Sequence, residues 1–190
     1  LSYSGDIVGY TEMPAALKII DCVNNGVITH KSKYNSYSGG IIGYFNGRSS
    51  ANSLIDCANK GDIVSEGICG GVAGYVSIPN SVSLCANFGE ISSKKYASGI
   101  VGELYDGVVE KSFNKGNIAG NTSAGIAAIL KSNSKVLNCY NNGNITADET
   151  AASVAINNTG TVSYCYNSGT VDGKNIYDVS LSGNYNYSLN

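Results

Sequence analysis

Cys139-Tyr140-Asn141-Asn142-Gly143-Asn144-Ile145 is a frame that the chain writes six times. It recurs at Cys22-Val23-Asn24-Asn25-Gly26-Val27-Ile28, Cys57-Ala58-Asn59-Lys60-Gly61-Asp62-Ile63 and Cys85-Ala86-Asn87-Phe88-Gly89-Glu90-Ile91. Ser replaces Cys in Ser112-Phe113-Asn114-Lys115-Gly116-Asn117-Ile118, and the last copy is Cys165-Tyr166-Asn167-Ser168-Gly169-Thr170-Val171. Asn and Gly are kept in every copy and the final position is always aliphatic. The copies settle at a spacing of about 27 residues, within the range of stacked repeat architectures. An array of like units is one continuous domain rather than several.

Two further blocks keep step with this frame. Upstream of the Cys lie Gly5-Asp6-Ile7-Val8-Gly9-Tyr10, Gly39-Gly40-Ile41-Ile42-Gly43-Tyr44, Gly70-Gly71-Val72-Ala73-Gly74-Tyr75 and Ser98-Gly99-Ile100-Val101-Gly102-Glu103, a pattern that decays toward the C-terminus. Just ahead of this block a column of small residues, Ser4, Ser38, Cys69, Ala97, Ser123 and Ala151, marks a corner where chains pass closely. Three residues before each Cys stands an aliphatic anchor: Ile19, Leu54, Val82, Val109, Val136 and Val162.

Short apolar runs divided by Gly, Asn and Ser predict strands and corners, three of each per unit. The expected fold is all-β: a right-handed parallel β-helix (β-solenoid) of six to seven coils, each with about 27 residues and three short strands. It spans residues 1–175, with the Tyr/Asn-rich stretch 176–190 as a last partial coil or cap. One coil alone could not fold. Its four or five aliphatic side chains contribute about 1.5–3 kcal/mol each, against about 1–2 kcal/mol of backbone entropy for every residue ordered. Stacking at about 4.8 Å turns equivalent residues into ladders. Asn24, Asn59, Asn87, Asn114, Asn141 and Asn167 are expected to form an amide ladder, and the Gly that follows each is expected to supply a left-handed corner. Residues 13–20, with Pro14 near their start, could make a single helical turn.

Composition removes several function classes. Net charge is −2, which offers nothing for nucleic acid or an anionic membrane surface. No apolar run approaches a membrane span and no basic-then-apolar leader opens the chain. The first residues already lie inside a repeat, so the expectation is a piece of a longer protein with neighbouring domains. Of six cysteines, Cys22, Cys57, Cys85, Cys139 and Cys165 share one repeat position that also accepts Ser112, which selects for small volume and burial over disulfides. With no C-x-x-C pair and His30 as the single histidine, neither a metal site nor a cofactor is expected.

The pairing of Gly-Gly-Ile-x-Gly with Cys-x-Asn-x-Gly-x-Ile resembles the GLUG-type repeats of bacterial cell-surface proteins, including regions found beside immunoglobulin A-cleaving metalloproteases. The resemblance runs from Ser4 to about Val171. It implies an extracellular origin, secreted or wall-attached, and a stalk or ligand-presenting module. The His-Glu-x-x-His motif of those peptidases is absent, so their activity does not carry over.

Three kinds of candidate site follow. Stacked carboxylates, Asp62 with Glu90 and Asp21 with Asp56, would suit a carbohydrate-active β-helix enzyme, a weak Ca²⁺ site, or simply a solvated face. Tyr10, Tyr44 and Tyr75 occupy one column and Phe113, Tyr140 and Tyr166 another. If they point outward, they are surfaces for a glycan or a host or cell-surface protein, or else shields for a sheet face. Finally, the long corner at residues 29–38 brings Tyr34 and Tyr37 beside basic residues near the N-terminal coils. The reading is a non-catalytic adhesion, ligand-presenting or spacer module, with a polysaccharide lyase or glycosidase and a self-assembling fibre unit as the alternatives.

Overall fold

The computed structural model describes residues 1–13, 15–32, 36–47, 49, 51–77, 80–157, 159–177 and 187–188. Every regular element among them is a strand, and every pairing is parallel between one coil and the next, so the chain is a β-solenoid. Residues 13–20 include the strand Lys18–Ile20 and, among the described residues, no helical turn. Pairing that strand with Ser53–Ile55 satisfies backbone groups that a lone helical turn would leave open.

One coil serves to describe all of them. Ile91–Ser98 runs in the first sheet, Val101–Tyr105 in the second, Val108–Glu110 in the third and Phe113–Asn114 in the fourth. The first three match the expected segments; the fourth is a two-residue bridge carrying the laddered Asn. The second and third sheets are six strands deep and the fourth seven. In the first sheet the strand bends partway. Its register shifts between Ser93 and Tyr96, and in the preceding coil it is divided into Ile63–Ser65 and Ile68–Gly70.

The asparagines bond one to the next along the axis. Asn24 Nδ2 donates to Asn59 Oδ1, and the bond repeats from Asn59 to Asn87, Asn114, Asn141 and Asn167, each time at 2.7 Å. Sequence separations along the ladder are 35, 28, 27, 27 and 26, so the first coil is the long one. Each Nδ2 also donates to the carbonyl of the Gly two residues on, which fixes which way the amide faces. All six side chains are fully buried.

The glycines serve a different end from the one expected. Among the described residues no Gly has a positive φ. In the frame the left-handed residue is the one before the Cys or Ser: Asp21, Asp56, Leu84, Lys111, Asn138 and Tyr164, with φ of 49° to 56°; Asp106 and Ser132 are left-handed at another corner. Turning there brings each Cys thiol back onto the carbonyl two residues upstream, as in Cys57 to Ile55 at 3.3 Å and Cys139 to Leu137 at 3.2 Å. Ser112 makes the same bond to Glu110 at 2.8 Å, which is why a hydroxyl can stand in for a thiol. The Gly of the frame is required instead by proximity. A Cβ on Gly61, Gly89, Gly116, Gly143 or Gly169 would overlap the carbonyl oxygen of the Gly one coil earlier.

Proximity also explains why the two motif blocks travel together. A Cβ on Gly40, Gly71, Gly99 or Gly125 would strike the side chain of Asn59, Asn87, Asn114 or Asn141 across the interior. The second Gly of one block is therefore the seat of the Asn of the other. This contact is a waist that divides the core in two. On one side Ile41, Phe45, Leu54, Val82 and the Cys column pack together; on the other, Ile28, Ile63, Ile91, Ile118 and Ile145 pack with Cys69 and Ala97.

Gly99→Ala should therefore lower stability by about 1–3 kcal/mol through overpacking. Gly9→Ala, whose new Cβ would have its nearest neighbour at 3.9 Å, should be neutral or gain up to about 1 kcal/mol. Urea titrations of the two variants check the contrast, and equal losses would contradict the waist.

Asn114→Leu strands one N–H of Asn87 Nδ2, together with Asn141 Oδ1 and the Gly116 carbonyl. At about 1–3 kcal/mol for each buried group left without a partner, it should lower the melting temperature more than Asn24→Leu, which has a laddered neighbour on one side alone.

Candidate functional site

The tyrosine column stands in register, Tyr10 beside Tyr44 and Tyr44 beside Tyr75, all on the second sheet. Tyr3 and Tyr37, on the outer side of the first sheet, lean against it. Tyr3 lies 4.7 Å from Tyr44 between ring centroids, and Tyr37 lies 5.6 Å from Tyr44 and 5.3 Å from Tyr75. Rings that point away from the core on two neighbouring sheets meet only if the edge between those sheets folds inward. The glycines of the second sheet permit this, since a Cβ on Gly43 would overlap the backbone of Ser4, and one on Gly74 that of Ser38. Farther along the same crease Ile68, Tyr96, Ile129 and Ala152 form a small apolar cluster.

The crease changes what the tyrosines offer. Tyr44 and Tyr75 stack face to face at 4.3 Å and 7°, and Tyr10 and Tyr44 at 5.4 Å and 16°. Neighbours thus occupy most ring faces, and the Tyr10 hydroxyl donates to Glu12. Tyr10 is 45% exposed, and the other four are half-buried. Tyr34 of the long corner lies outside the described residues. The second aromatic column, Phe113, Tyr140 and Tyr166, is built the same way, with ring centroids 5.0 and 5.1 Å apart and planes within 8°.

At the end of the tyrosine column the position belongs to Glu103, in register with Tyr75 on one side and Ile129 on the other. Among the described residues it is the one buried carboxylate, 5% exposed. Lys131 Nζ lies 2.7 Å from its Oε1, and the Tyr37 hydroxyl, two coils away, donates to its Oε2 at 3.2 Å. Burial first, then the charge of Glu103 and the bond to it, pushes the Tyr37 phenol above its usual range. Burial does the same to Tyr75, so both hydroxyls stay protonated, as donors, at any physiological pH. The sequence did carry a signal for this group: a Glu in a Tyr column, with a Lys 28 residues on.

The carboxylate columns have structural work. Asp62 Oδ1 accepts the backbone N–H of Glu90 at 2.8 Å. Asn117 does the same for Asn144, and Asn144 for Thr170, each at 3.2 Å, so this is a second, exposed ladder of side chain to backbone. Asp21 and Asp56 occupy left-handed corners, which short polar side chains tolerate best. Among the described residues no three His, Cys, Asp or Glu side chains come together closely enough to hold a metal ion.

His30 fills the place that Ser65 and Ser93 take in later coils. Its Nε2 pairs with Ser2 Oγ at 2.8 Å and its Nδ1 with Ser38 Oγ at 2.7 Å, and burial lowers its pKa. All six cysteines are free. Five are buried, and burial pushes the Cys69 thiol up to about 12. Cys22, in the first coil, is partly exposed. The full burial expected of the column thus stops short of its first member, because no described strand pairs with the outer side of Lys18–Ile20 or Val23–Asn24.

No family model, no curated protein and no solved structure matches the chain.

Thiol labelling of the native protein should modify Cys22 alone at an appreciable rate, and unfolding without reductant should release all six. Fast labelling of a mid-column residue such as Cys85 would contradict the packing.

Proposed function

We propose that this β-solenoid is a non-catalytic module of a bacterial surface protein, secreted or wall-attached, that acts as a rigid spacer and presents a ligand-contacting face. The observation that carries the reading is the gathering of Tyr3, Tyr10, Tyr37, Tyr44 and Tyr75 from the first three coils into one crease. Phenol edges and hydroxyls held on a scaffold of ladders cost little entropy to order, and buried or half-buried aromatic groups with a polar tip favour contact with a glycan or a surface protein. The repeat resemblance supports the extracellular setting. The engagement of Asp62 in backbone bonding speaks for a spacer over a glycosidase, whose catalytic carboxylates must face substrate.

A glycan array and binding to intact bacterial and host cells, each run beside a reducing-sugar assay, test this. The wild-type protein should bind without releasing reducing ends. Tyr10→Ser, at the exposed end of the stack, should weaken binding several-fold with an unchanged melting temperature, whereas Asp62→Asn should leave binding intact. Chain cleavage by the protein would overturn the proposal.

A further inference from the structure

Beyond the tyrosine crease, across the bend of the first sheet, a groove of about 470 Å³ runs over five successive coils. Its floor is the outward column Thr29, Val64, Ser92, Ala119 and Thr146, held in register by parallel pairing. Thr29, Val64, Ala119 and Thr146 are exposed, and Val64 keeps 48% of its surface in solvent. Lys31, Glu66, Lys94 and Asp148 stand along the groove. We propose that this groove binds a linear, uncharged oligosaccharide lying along the solenoid axis.

Three observations select that occupant. The first is charge. Two ammonium groups face two carboxylates, and Lys94 is already bonded to Glu66 at 2.6 Å. The groove therefore has no net field to hold a polyanion such as nucleic acid or a sulfated glycan.

The second is that the floor is the face of a sheet and not its edge. Its backbone N–H and C=O groups are spent on neighbouring coils, so a peptide cannot add as a further strand, which is how extended peptides gain main-chain affinity.

The third is pitch. The floor repeats at the strand spacing of about 4.8 Å, close to the length of one linked pyranose and far from the roughly 3.3 Å advance of an extended peptide residue. A sugar chain can therefore present the same group to each coil. Its C–H faces would rest on Val64 and Ala119, and its hydroxyls would meet Thr29, Ser92, Thr146 and the carboxylates. Five floor positions span about 19 Å, room for about four sugars. The volume is that of an ordinary small-ligand site. This site does not depend on the tyrosine crease, and either can fail without the other.

Calorimetric titration with cellohexaose, chitohexaose and mannohexaose, with a heparin hexasaccharide as the charged control, tests the assignment. At least one neutral chain should bind, with affinity rising from disaccharide to tetrasaccharide and levelling beyond. Ala119→Arg, which fills an exposed floor position, should cut that affinity by about ten-fold or more with an unchanged melting temperature. Tyr10→Ser should leave it unaltered. Three results would overturn the groove assignment: no neutral chain bound, preference for the heparin fragment, or full affinity in Ala119→Arg. A loss with Tyr10→Ser but not with Ala119→Arg would move the glycan to the crease.

Discussion

A hydrogen bond from one buried side-chain amide to the next, made five times at 2.7 Å, is the constraint on which the rest of the solenoid depends. An amide taken out of water without partners costs several kcal/mol. Here every interior Asn is served on both sides by its own kind and by the Gly carbonyl two residues on. The cost is recovered only when coils sit in register, because at Asn59, Asn87, Asn114 and Asn167 a one-residue slip in either direction would place a non-amide group in the column. The ladder therefore selects the register as much as it stabilises it.

From that column the other sequence rules follow. The amide fills the middle of the cross-section, so the residue opposite has no room for a Cβ, and Gly40, Gly71, Gly99 and Gly125 result. The thin waist leaves two separate apolar cores, each small, so a coil has no stability apart from its neighbours. The thiol column lies two residues before the amide and is bent onto its own chain by a left-handed residue. Leu84, Lys111 and Tyr164 hold that conformation without the side chains that usually favour it. The cost, about 1–2 kcal/mol at each corner, falls on the coils that the surrounding ladders already hold in place.

How much of this was legible in the sequence depends on whether a property belongs to a column or to a cross-section. Periodicity names columns well. The asparagines, the aliphatic anchors and the tyrosines all lie beside the residues that their spacing pairs them with. Periodicity does not say whether a corner turns outward or inward. The Gly after Asn looks like a left-handed corner from its residue type, yet close stacking on the Gly one coil earlier is what demands it. The tyrosine column left open whether its rings form an outward surface or shield a sheet face, and the inward fold between two sheets stacks those faces on one another. Glu103 is marked by its place in the tyrosine column, but its bond to Tyr37 was hidden for the same reason, since Tyr37 stands on another sheet two coils away. The groove depends on a bend inside one strand, at Ser93 and Tyr96, which no motif marks.

The asparagine ladder has one more property: it is one-way. Each amide donates toward the C-terminal neighbour and accepts from the N-terminal one, so its small dipoles add as peptide dipoles do along a helix. Such a column has a fractional positive pole toward its last coil and a negative pole toward its first. A coil laid on in the opposite sense would set acceptor against acceptor at one face, or donor against donor at the other. A rod built on this interaction is thus a vector as well as a scaffold, and repeats can be gained or lost along it only in a single orientation.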